Sequence, residues 1–128
     1  MNAPERLRQH PAVRLANPVQ TIDLSAAAAS LRAEPQAIAT GHRQIALVRH
    51  GPLSIMLFVF EAGGEMKEHK ADGEVVIHVR SGRMTVTVGD QAHELGAGEL
   101  LTIAPGILHA LRAKQATEML LTICRVSA

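Results

Sequence analysis

From residue 44 onward the chain is a series of short apolar runs broken by glycine-bearing turns, and this rhythm limits the fold more than any other feature. Candidate strands cover residues 44–50, 53–61, 75–80, 83–88, 92–95, 100–104, 108–112 and 118–126, with breaks at Gly51-Pro52, Gly63-Gly64, Asp72-Gly73, Ser81-Gly82, Gly89-Asp90, Gly96/Gly98 and Pro105-Gly106. Runs this short at near-regular intervals predict an all-β sandwich or barrel, and eight strands fit a jelly roll or small barrel. Alternation is clear where Met84, Val86 and Val88 oppose Arg83, Thr85 and Thr87, and it recurs where Met119, Leu121 and Ile123 oppose Leu120, Thr122 and Cys124. In the second run both faces are apolar, so that strand is expected to be covered on both sides, by the barrel core and by a helix or second subunit.

Residues 1–20 carry Pro4, Pro11 and Pro18 among scattered charges and read as an N-terminal arm, with at most a short edge strand around residues 12–15. Residues 21–36 read as a short helical segment: Ser25 is the expected N-cap, the alanines at 26–29 are strong helix formers, and Pro35 forces Glu34 out of helical geometry. Its apolar face is mostly Ala, which suits thin packing on something larger. The barrel proper is expected over residues 44–126, in a single domain, since 128 residues support one core.

Composition narrows the function classes. Thirteen Lys and Arg balance twelve Asp and Glu, so there is no field to hold a polyanion, and Phe58 and Phe60 are the sole aromatics, leaving bases nothing to stack on. Nucleic acid is not an expected partner. The longest uncharged apolar stretch, residues 53–60, is far too short for a bilayer, so no membrane association is expected either. A single Cys124, with no signal-like run, leads to a cytoplasmic expectation. Cys124 itself reads as a small buried hydrophobe rather than a nucleophile. The sequence has no G-x-G-x-x-G, Walker loop, G-x-S-x-G elbow or H-E-x-x-H.

Two stretches carry a family resemblance. Gly63-GEMKE-His69-Lys70-Ala71-DGE-Val75-VIHVRS-Gly82 is similar to the first cupin motif, G, five residues, H-x-H, three or four residues, E, six residues, G. Gly98-ELLTI-Ala104-Pro105-Gly106-IL-His109-ALR-Ala113 resembles the second, G, five residues, P-x-G, two residues, H, three residues, N. The chain thus resembles a small single-domain cupin, and the resemblance implies a jelly-roll barrel, or double-stranded β-helix, preceded here by the short helix. Residues two apart on a strand share a face, so 69 and 71, then 75, 77 and 79, then 109, 111 and 113 line one interior in that register. His69 and His109 are then expected to face each other inside the barrel. Glycines at 63, 82, 98 and 106 supply positive φ or close approach at tight connections.

The departures from the family pattern bear on function. The resemblance implies a cage of three histidines and one carboxylate suited to iron, manganese, nickel or zinc. Here the second histidine position is Ala71 and the carboxylate position is Val75, which leaves His69 and His109 as two ligands of four, against the three protein ligands that even a catalytic zinc site keeps. Glu74 is a candidate third ligand, although a one-residue shift turns a strand side chain to the opposite face. His93 is another candidate, sharing parity with inward Leu95, and Glu68 a further one. His78 is expected to face outward, and His10, His42 and His50 to be surface residues. Residues 65–70 read as a solvated rim, in which Lys67 or Lys70 is able to meet an anionic ligand.

The expected pocket therefore comprises His69, Ala71, Val75, Ile77, His109 and Leu111, with two imidazoles giving or accepting hydrogen bonds to a small polar or carboxylate ligand. Three readings follow: a metal-independent small-molecule binding or sensing module with a degenerate metal site and no cofactor; a metal-dependent oxygenase or isomerase using His69, His109 and a non-standard third ligand; and a barrel that serves to dimerise. A homodimer is expected from the apolar runs 53–60 and 119–126, with Leu57→Glu or Leu120→Glu dissociating it if those positions lie at the interface, unless the short helix covers that face instead.

Overall fold

The computed structural model describes residues 18–35 and 40–126. The expected strand at 12–15 and His10 lie outside the described residues.

Among the described residues one helix, α1 (Leu24–Arg32), precedes nine strands: β1 (His42–His50), β2 (Leu53–Phe60), β3 (Glu65–His69), β4 (Gly73–Ser81), β5 (Arg83–Val88), β6 (Gln91–Gly96), β7 (Leu100–Ile103), β8 (His109–Ala113) and β9 (Thr117–Arg125). They form two antiparallel sheets, in orders β1-β2-β9-β4-β7 and β3-β8-β5-β6, packed face to face as a jelly roll. Eight of the strands match the sequence reading to within a few residues. The ninth, β3, occupies the run read as a solvated rim. It is the edge of the four-stranded sheet, and an edge strand tolerates charge on its outer side, which is why Glu65, Lys67 and Glu68 hid it.

The helix also starts earlier than expected. Asp23, not Ser25, is the N-cap, its carboxylate accepting from the Ala26 backbone N–H at 3.0 Å. The carboxylate satisfies one of the first-turn donors that a helix cannot pair internally.

The main core fills the space between the sheets. Val75, Ile77 and Val79 from β4, Met84 and Val86 from β5, Leu111 and Ala113 from β8, and Met119 and Leu121 from β9 are all buried there, as the period of two predicts. A second, smaller cluster lies on the outer face of the five-stranded sheet, where Ala28 and Leu31 of α1 pack on Leu47, Leu57 and Val59. Arg32 of α1 pairs with Glu118 of β9 at 2.8 Å on its flank. Leu57 is completely buried in this one chain, so it is not an exposed interface position. A charge at Leu57 is therefore expected to unfold the layer beneath α1 rather than to dissociate subunits. The alternative weighed for this face, coverage by the short helix, is what the structure contains.

Gly82 shows why the turn glycines sit where they do. Its φ is +94°, and a Cβ there would lie 2.3 Å from the Ala116 carbonyl oxygen and 2.4 Å from Thr117 Oγ1. Only glycine meets both demands at the β4–β5 turn.

Candidate functional site

His69 ends β3 and His109 begins β8, and they are direct cross-strand partners. Both rings line the same cavity between the sheets. They stand side by side in one sheet, with ring centroids 4.4 Å apart at 60°. A register irregularity in β3 between Met66 and His69 brings the ring into this position. The loop before β8 is tied to the segment after β3 by Gly106 N–H donating to the Ala71 carbonyl at 2.9 Å, which fixes the two motifs against one another.

Both rings are held by the same device. His69 Nδ1 lies 2.8 Å from the Lys67 carbonyl oxygen, and His109 Nδ1 lies 2.9 Å from that of Ile107. A carbonyl only accepts, so each Nδ1 carries the proton. In a neutral ring Nε2 then carries the lone pair, and each Nε2 is free to accept a hydrogen bond or ligate. Burial of His109, only 1% exposed, and the neighbouring His69 hold its pKa below the usual imidazole range against the opposing Ile107 hydrogen bond. At neutral pH it is an acceptor.

The two histidines open onto a cavity of about 410 Å³. Ala71 and Val75 line it as expected, and so do Met56, Phe58, Leu121 and Ile123 from the opposite sheet. Two residues of the expected pocket do not: Ile77 and Leu111 are 0% and 2% exposed, within the packed core. Ile77 pairs with Leu121 one step deeper than Val75 with Ile123, and Leu111 lies two residues beyond His109, so both share the inward face but sit too deep.

Of the polar rim, the sequence reading named Lys70 but missed Gln44, Asp72 and Arg125. Gln44, Lys70, Asp72 and Arg125 line the same cavity. Arg125 donates to Ser54 Oγ at 2.8 Å and stands 3.5 Å from Asp72 Oδ1. Arg125 is the last residue of β9 and Asp72 precedes β4, so only pairing of these two strands unites them; Gly73 opposite Arg125 is the register that does it. Lys70 makes no ion pair among the described residues.

The candidate extra ligands fall elsewhere. Glu74 is exposed on the outer pleat of β4, opposite Cys124, as the one-residue shift requires. Glu68 is exposed on β3. His93 is half-buried on β6 and pairs with Val86, so β5 separates it from β8, and it does not line the cavity. Among the described residues no group of three or more His, Cys, Asp or Glu is arranged to hold a metal ion. With alkyl groups of Ala71 and Val75 at the two other family ligand positions, the residues present do not fit the three-histidine, one-carboxylate cage.

Two further expectations need correction. Cys124 is exposed, because its side of β9 lies beyond the reach of α1. His42 is not a simple surface residue: its ring lies 5.2 Å from Phe60 and 5.7 Å from Phe58, with Nδ1 3.1 Å from the Glu65 carbonyl oxygen. His78 is half-buried on the outer side of β4, out of phase with its core residues.

A two-sheet jelly roll of this size, with paired histidines at one mouth, defines a small cupin barrel. The cupin domain family matches residues 56–124, more than half of the chain, and the protein belongs to it. Among solved structures it is similar to a conserved protein of unknown function from Streptococcus pyogenes, at 23% identity and TM-score 0.69 over 88% of this chain and 92% of that one. It is equally similar in fold to a cupin superfamily protein from Desulfitobacterium hafniense, at 20% identity and TM-score 0.69 over 88% and 96%. Salicylate 1,2-dioxygenase from Pseudoaminobacter salicylatoxidans shares the barrel at 19% identity and TM-score 0.63, over 73% of this chain and 27% of that one. A search of curated proteins returns no match. No described helix is long and apolar enough to cross a membrane.

Proposed function

We propose that the protein binds a small organic molecule in the cavity beside His69 and His109, with no resident metal, in a cupin barrel whose metal cage is half erased. The observation that carries this reading is the wall itself: methyl and isopropyl groups of Ala71 and Val75 stand beside two hydrogen-bond acceptors, inside a space large enough for a ligand. Removing a histidine and a carboxylate from such a cage also removes the charge that holds a cation. The test is elemental analysis after equilibrium dialysis against iron, manganese, nickel and zinc, with thermal-shift titrations of small molecules before and after chelation. Ligand-dependent stabilisation indifferent to chelators is expected. One tightly bound transition metal per chain, lost on His69→Ala, overturns the proposal.

A second reading, a metal-dependent oxygenase or isomerase, rests on the fixed tautomers, because pinning Nδ1 to a carbonyl is also how metal-ligating histidines are oriented. It requires a third ligand from outside Glu68, Glu74 and His93, and it predicts activity that chelators abolish and Mn or Fe restores.

The homodimer stays a proposal, resting on the part of the outer sheet face that α1 leaves bare, where Val76 and Thr122 are cross-strand partners and Leu100 is 59% exposed. Light scattering at micromolar concentration that returns the mass of one 13.7 kDa chain overturns it.

A further inference from the structure

The polarity of the cavity specifies the kind of molecule it takes, an inference that rests on the binding role proposed above. At its histidine end the protein offers acceptors. Both Nδ1 protons are committed to the Lys67 and Ile107 carbonyls, and neither Nε2 has a hydrogen-bond partner among the described residues. Two adjacent acceptors cannot satisfy each other, so they call for a donor from the ligand, a hydroxyl or an N–H. A carboxylate placed there finds no free N–H on either neutral ring, since both Nδ1 protons are already committed to carbonyls.

At the rim the balance reverses. Arg125 and Lys70 bring two cations against the single carboxylate of Asp72. Asp72 is 76% exposed and touches Arg125 only at 3.5 Å, a contact too loose and wet to neutralise the guanidinium. Arg125 is meanwhile held by Ser54, itself 1% exposed, so its position is fixed. Between the two ends the wall is hydrocarbon and one aromatic ring, with Val75, Ile123, Leu121, Met56 and Phe58.

We propose that the ligand is a small hydroxy acid, or an N–H-bearing acid, with an apolar body, its donor on the two Nε2 atoms and its anion toward Arg125 and Lys70. This order of groups distinguishes it from a plain fatty or aromatic acid, which leaves the imidazoles unpaired, and from a neutral alcohol or phenol, which leaves the rim cations unanswered.

Isothermal titration with three matched sets tests it on the intact chain: para-hydroxybenzoate, para-hydroxyphenylacetate and para-hydroxyphenylpropionate, each beside its deoxy acid and its hydroxy amide. Indole serves as a neutral probe that carries an N–H donor but no anion. In at least one length the hydroxy acid is expected to bind about tenfold more tightly than either comparison compound, since each lost hydrogen bond or charge contact strands a group on the protein. Arg125→Gln is expected to erase the advantage of acid over amide while leaving that of hydroxy over deoxy acid. Equal affinity for hydroxy and deoxy acids overturns the donor assignment, and equal affinity for acid and amide, or binding of indole alone, overturns the anion assignment, each leaving a binding cavity. Failure of every probe, indole included, overturns the assignment and counts against the binding role itself.

Discussion

The two ends of the barrel are built by the same strands yet have opposite characters. Toward the β4–β5 turn, Val79 and Met119 are cross-strand partners, as are Met84 and Ala113, and all four are at most 1% exposed. At the other end, Val75 pairs with Ile123 and His69 with His109, and these side chains open onto the cavity. Between them lies a layer of Ile77 and Leu111, 0% and 2% exposed, with Leu121 beside them forming part of the cavity wall. The difference is one of filling, not of pleat. Methionines with three rotatable bonds complete the closed end, whereas alanine and valine at 71 and 75 leave room at the open one.

Truncations at matched depths test this contrast most strongly. Met84→Ala at the closed end is expected to cost about 2–5 kcal/mol in urea unfolding, because it loses transfer energy and leaves a cavity that close-packed neighbours cannot fill. Ile123→Ala, on the cavity wall, is expected to cost less than half as much, since one side of it already lacks partners. Equal costs would mean that the open end is packed as tightly as the closed one.

Glycine substitutions give a smaller version of the same comparison. Gly82→Ala combines positive φ with a Cβ 2.3 Å from a carbonyl oxygen, and a loss of about 3 kcal/mol is expected in chemical denaturation. Gly106 has φ +79° with open space around the added Cβ, so Gly106→Ala is expected to cost about 1–2 kcal/mol from strain alone. A Gly106→Ala variant as damaged as Gly82→Ala would show that the cavity loop is more constrained than its surroundings indicate.

The smallest expected effect concerns pH. Burial holds the His109 imidazole below its ordinary value of 6.5, so below that pH the unfolded chain binds a proton that the folded chain resists. Stability is therefore expected to fall as pH drops from 6.5 through the folded-state value. His69, Lys70, Asp72 and Arg125 line the cavity beside this ring. Thermal melts of His109→Gln are expected to show a shallower acid loss than wild type. An identical pH profile would remove His109 as its source.

Much of the architecture was legible because it depends on local periodicity. The alternation of Met84 with Val86, of Val75 with Ile77, and of Met119 with Leu121 fixes inward faces, and turn glycines mark strand ends, so the jelly roll follows from residues close in sequence. The edge strand β3 escaped because an exposed strand need not look apolar, and the helix cap was misplaced by two residues because Asp23 and Ser25 both satisfy the local rule.

Local alternation was enough to say which residues of a strand share a face, and the resemblance to the cupin motifs added that His69 and His109 share one interior. How deep each lies came from packing. A period of two records the face of a strand but not the position along the barrel axis, so Ile77 and Leu111 were indistinguishable from Val75 and His109 until the strands were set in register. The same holds for the rim: Arg125, Asp72 and Ser54 lie on three strand ends or turns far apart in the chain, and no local pattern connects them. Long-range antiparallel pairing of β2, β4 and β9 places them together, because register is a property of several strands packed at once and not of any one of them.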